Sequence, residues 1–67
     1  MTVYRQRLVE SMAKNDMDVK KLAEESGVSK TNIYAVLERD VIPKAQTLAA
    51  LADALGVSMD WLWGRVD

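Results

Sequence analysis

Apolar side chains in this chain of 67 residues recur at spacings of three and four, and no such run goes further than about a dozen residues before a capping or turn-forming residue interrupts it. Three-to-four spacing lays one buried stripe along an α-helix, whereas a half-buried strand alternates at every second residue. No alternating run of useful length is present, nor any repeat, low-complexity tract or linker. The chain is therefore restricted to short helices that bury their stripes against one another.

Val3 to Lys14 is predicted as a first helix with an inner stripe of Tyr4, Leu8, Val9 and Met12, stopped by Asn15-Asp16. Asp18 is a natural N-cap for a second helix of about two turns, whose inner face is Val19, Leu22 and Ala23 and whose end is Gly27. Ser29 caps a third helix running to about Arg39, with Ile33, Val36 and Leu37 inward. Pro43 suits the start of a fourth, in which Leu48, Leu51, Ala52 and Leu55 hold the stripe before Gly56. Ser58 opens a short fifth helix, with Asp60 in its first turn to complement the helix dipole and Gly64 to close it. The expectation is one all-α domain over residues 1–67, a compact five-helix fold.

Composition removes whole classes of function. With no cysteine and no histidine, the chain lacks a thiolate nucleophile, the commonest metal ligand and the commonest general base. It has no Gly-rich phosphate loop and no carboxylate pair in an evident apolar pocket, so neither catalytic nor metal-binding residues are assigned and no cofactor or small-molecule substrate is expected. Nothing approaches the roughly 20 apolar residues of a membrane span, and the N-terminus lacks a signal-peptide core, which together predict a cytoplasmic protein. Net charge is −1, with 9 basic and 10 acidic residues, so any attraction for a polyanion depends on where the charges sit.

The stretch Gly27 to Glu38 is the informative one. Two short helices joined by a Gly-x-Ser turn leave the second protruding, and a protruding helix has the width of the major groove of B-DNA. Its first turns carry Lys30, Thr31, Asn32 and Tyr34, a mixture of donors, acceptors and an aromatic ring denser than solvation requires. The segment LAEESGVSKTNIYAVL resembles the helix-turn-helix of the lambda-repressor-like family (Cro/repressor, xenobiotic-response-element type). Ala23 matches the small residue at the helix contact, Val28 and Ile33 the core positions and Ser29 the cap. PKAQTLAALADALGVSMDWLWG is similar to the family's fourth and fifth helices, so the likeness covers about residues 4 to 64.

The resemblance implies a helix-turn-helix over about residues 19–39 and a partner, double-stranded DNA. It sets Lys30, Thr31, Asn32 and Tyr34 against base edges, with Ala35 close enough for a thymine methyl. Phosphate contacts are expected from Lys20, Ser29, Arg39 and Lys44. A homodimer is expected to form through the C-terminal part, with Leu62, Trp63 and Val66 as candidate contacts, and to read a palindromic operator as a transcriptional repressor in a bacterial cell or phage-infected host. Trp61 is expected in the core.

Three positions depart from the family pattern. Val19 stands where a phosphate-binding Gln is common; Met12 and Leu37 replace a frequent Arg–Glu pair; Arg39, between Glu38 and Asp40, stands where a glycine usually follows the third helix. Val19, the Glu38/Asp40 pair and the near-neutral charge support a second reading, a protein-interaction adaptor or antirepressor partner on the same fold that does not touch DNA. In the bland alternative the lysines are ordinary solvated side chains, Asn32 and Tyr34 ordinary surface residues.

Overall fold

A computed structural model describes residues 3–65, and these form five α-helices: α1 (Val3–Lys14), α2 (Val19–Ser26), α3 (Lys30–Arg39), α4 (Ala45–Leu55) and α5 (Met59–Trp63). Local chemistry sets the boundaries. Asp18 Oδ1 accepts from the backbone N–H of Lys21 at 2.8 Å, and Ser58 Oγ from that of Trp61 at 3.0 Å, each satisfying a donor that the first helical turn leaves without a partner. Asp16, after α1, takes φ 55°, a left-handed value that aspartate tolerates better than most residues, and Met17 N–H reaches back to the Met12 carbonyl.

One boundary differs from expectation. Pro43 does not open α4: the helix begins at Ala45 with Lys44 as N-cap, and proline lies in the extended approach to it. The left-handed residue after α3 is Asp40, at φ 57°, because Arg39 completes the last helical turn. The Asp40 and Val41 backbone N–H groups both reach back to the Ala35 carbonyl.

The core is made of Tyr4, Leu8 and Met12 from α1, Leu22 from α2, Ile33 and Val36 from α3, Leu48, Leu51, Ala52 and Leu55 from α4, and Leu62 from α5. Val9 is a correction, since it lies on the exposed flank of α1 and the small Ser11 takes the inward position beside Met12. A residue one position round the helix from Leu8 is turned by about 100°, and here that carries it out of the stripe. Val19, Ala23, Val28, Leu37 and Trp61 pack around this core. α2 rests on α3 and α4, and α1 on α3 and α5. α3 is thus gripped from one side, and its other side is left uncovered. Among the described residues no helix is long and apolar enough to cross a membrane.

Candidate nucleic-acid interface

The turn between α2 and α3 is built by Gly27, Val28 and Ser29. Gly27 takes φ 76° and its N–H reaches the Ala23 carbonyl at 2.9 Å; a Cβ there would meet nothing within 4 Å, so the backbone conformation is what demands glycine. Val28 turns inward onto the core. Ser29 then starts α3, its Oγ accepting from the backbone N–H of Asn32 at 3.2 Å. That bond uses an oxygen lone pair and leaves the hydroxyl proton free to donate.

Burying Ile33 and Val36 fixes the rotation of α3 and sets which side chains face away. Lys30, Thr31, Asn32 and Tyr34 are exposed, Tyr34 by 46%, and Ala35 is half-buried at the edge of the stripe. Asn32 and Ala35 line a shallow cleft whose far wall is Lys44, Gln46 and Thr47 at the start of α4. Lys44 makes no side-chain cap, so the first N–H groups of α4 have no acceptor within the helix and carry its positive dipole end toward the cleft. Gln46 and Thr47 were not singled out from the sequence; polar side chains in the first turn of a helix with a non-capping lysine before it were the available signal.

Of the expected phosphate contacts, Lys44 shares the Asn32 cleft. Lys20 is exposed at the start of α2, Ser29 at the start of α3 and Arg39 at the end of α3. Three other cations are occupied within the fold. The Arg5 guanidinium donates to the Leu37 carbonyl at the end of α3, and Arg7 donates to the Trp61 carbonyl with its guanidinium carbon 4.9 Å from the centre of the Trp61 ring. Lys21 pairs with Glu25 across one helical turn at 3.2 Å. An arginine of α1 therefore does meet the end of α3, but through a backbone carbonyl, while Met12 is buried in the core and Leu37 packs against it. Val19 opens α2 and packs against the core as well.

The loop between α3 and α4 is held from below. Tyr4, 4% exposed, directs its hydroxyl at the Val41 carbonyl at 2.7 Å and the Asp40 carbonyl at 3.0 Å. Above the loop, Ile42 is 68% exposed and borders a second, apolar cleft shared with Pro43, Met59 and Trp63. Trp63 is 39% exposed and stacks on the Tyr4 ring with centroids 5.2 Å apart. Leu62 is a correction. It is 1% exposed and belongs to the core of its own chain, because a five-residue helix sends one side chain inward and α5 spends that position on Leu62. Val66 lies outside the described residues.

Two short helices on a three-residue turn, with the second packed along one stripe and polar along the other, define the class of helix-turn-helix proteins. A family profile described as a helix-turn-helix matches residues 9–62, which takes in most of the chain. The chain belongs to the lambda-repressor-like helix-turn-helix family, a family of DNA-binding transcription regulators and not of enzymes. No curated protein and no solved structure matches it.

Proposed function

We propose that this chain is a sequence-specific repressor that occupies a palindromic operator as a homodimer, reading bases with the first turns of α3. The observation that carries this reading is the exposure of Lys30, Thr31, Asn32 and Tyr34 on a helix whose opposite stripe is locked into the core. Asn32 has the paired acceptor and donor that adenine N6 and N7 require; Lys30 donates to guanine O6 and N7; Thr31 offers both a hydroxyl and a methyl. Tyr34 and Ala35 lie one turn further along, where thymine methyl groups are reached. Lys20, Ser29, Arg39 and Lys44 neutralise or bond phosphates and fix the register, helped by the uncapped N-terminus of α4.

A module of Cα extents 27 × 23 × 20 Å covers only a few base pairs of one groove, so affinity and site length call for a second copy. The apolar cleft of Ile42, Pro43, Met59 and Trp63 supports that partnership, with Trp63 as its contact. Two copies joined there read half-sites about one helical turn, roughly 34 Å, apart.

Selection of binding sites from random duplex DNA, followed by titration across salt, tests the proposal. The expected result is a palindromic consensus and a log–log salt slope of several units, since each neutralised phosphate releases counterions. An absence of both supports the adaptor reading, for which the exposed Glu38 beside the cleft-lining loop is the best observation.

A further inference from the structure

We infer that Tyr4 is a positioning residue for the DNA-backbone contacts: it sets the height of the loop at residues 40–43, and through it the N-terminus of α4, relative to α3. The inference rests on the DNA-binding reading above. Tyr4 lies on α1, far from the reading turns, yet its ring is buried and its hydroxyl is shared between two successive carbonyls of the loop, 3.0 Å from Asp40 and 2.7 Å from Val41. A tyrosine hydroxyl has one proton to donate, so the two carbonyls share it in a three-centre bond in which the Val41 oxygen is the nearer.

At its start the loop is also joined to α3, whose Ala35 carbonyl takes both the Asp40 and the Val41 backbone N–H groups. Asp40 is in the left-handed region at φ 57°, and the Val41 N–H reaches the Ala35 carbonyl at a long 3.3 Å. Val41 and Ile42 both point largely into solvent, so no buried side chain of theirs anchors the segment. Beyond them come Pro43 and Lys44, which line the Asn32 cleft. A shift of the carbonyls at 40 and 41 is passed along this short, proline-stiffened stretch to Lys44 and the first N–H groups of α4. On its other face the Tyr4 ring lies against Trp63, 14° from parallel, which keeps the phenol from rotating away from the loop. The chain of contact runs from α5 through Tyr4 to the loop that faces the phosphates.

Tyr4→Phe removes the hydroxyl alone. Measured at a temperature where both proteins are fully folded, on a duplex selected by the wild-type chain, it should bind about fivefold more weakly, the equivalent of one hydrogen bond. Its preference for that duplex over one with a single changed base should be unaltered, because base contacts come from α3. Combined with Lys44→Ala, the loss should be clearly smaller than the product of the separate losses, since both act on one contact. A role in overall stability alone leaves affinity of the folded protein unchanged and the two effects multiplicative, which overturns the inference. Loss of base preference in place of uniform weakening overturns it too. Should Tyr4→Phe not fold, the Tyr4 hydroxyl proton of the wild-type chain decides: a slowly exchanging proton visible by NMR supports the tether, and one that exchanges with water too fast to observe overturns it. If the wild-type chain selects no duplex at all, the DNA-binding reading itself fails and this inference with it. That outcome is separable from a wild type that binds and a Tyr4→Phe variant that binds equally well.

Discussion

Ser29 and Asn32 are joined at the entrance to α3, the Ser29 Oγ accepting from the Asn32 backbone N–H at 3.2 Å. The bond holds the turn that presents Lys30, Thr31 and Asn32, so stability and reading geometry share one contact. Ser29→Ala should cost about 1 kcal/mol, the usual worth of an N-cap, seen as a fall in melting temperature of about 4 to 8 °C for a domain this small. DNA affinity should fall further than stability accounts for, because a phosphate donor is lost at the same time. Thermal unfolding and duplex titration on the same variant check both halves.

Lys44→Asp should separate stability from function. An aspartate at the N-cap of α4 supplies the missing side-chain acceptor and a favourable charge at the dipole's positive end, for a gain of about 1 kcal/mol. The same carboxylate occupies the N–H groups offered to a phosphate and repels it. Denaturant unfolding should show a more stable protein, and titration a weaker binder for every duplex alike. A variant that is more stable and binds as well as wild type would remove α4 from the interface.

Two glycines should respond differently to alanine. Gly27→Ala meets open space and carries only the left-handed penalty of about 1 to 2 kcal/mol. Gly64 combines φ 97° with a close neighbour, since a Cβ there would lie 2.8 Å from Val3 Cγ1, on a β-branched side chain that cannot swing aside freely. Gly64→Ala should therefore cost more than Gly27→Ala, by about 1 kcal/mol or above. Adding Val3→Ala should recover part of that excess in Gly64→Ala, since it removes Cγ1 and keeps the Cβ 3.1 Å away, and nothing in Gly27→Ala, as measured by a double-mutant cycle in urea.

Asn32→Ala should weaken binding by about 1 to 3 kcal/mol on the selected duplex and relax preference at one base pair in each half-site. Arg39→Ala should weaken all duplexes equally and lower the salt slope by about one. Competition titrations against single-base variants at two salt concentrations distinguish the patterns. Exchange of the two patterns between these residues would reverse their assigned roles.

Which parts of this were readable from residues alone follows from how local the physics is. The capping pairs at Asp18, Ser29 and Ser58 and the stripe of Leu48, Leu51, Ala52 and Leu55 depend on neighbours three or four positions away, and all were legible. Val9 departs from its expected place because periodicity gives a stripe's spacing and not its centre, and Leu62 because the resemblance points to the C-terminal part as a contact without saying which of its side chains turns inward. Pro43 marks a helix start only within a residue or two, since its fixed φ suits the extended approach as well as the first turn. The exposed polar run on α3 was visible as a pattern. Its partnership with Gln46 and Thr47 was not, because α3 and α4 are brought to one cleft by a loop whose course depends on Tyr4, 36 positions from Asp40.

Amide chemical shifts of the labelled chain, followed by NMR while the selected duplex is added, test the central claim most directly. The leading edge of α3 is predicted to meet the groove, so the largest changes should fall on Lys30 to Ala35, with a second group at residues 44–47. Changes concentrated on the outer sides of α1 and α2, with Lys30, Thr31 and Asn32 unmoved at saturation, would contradict it.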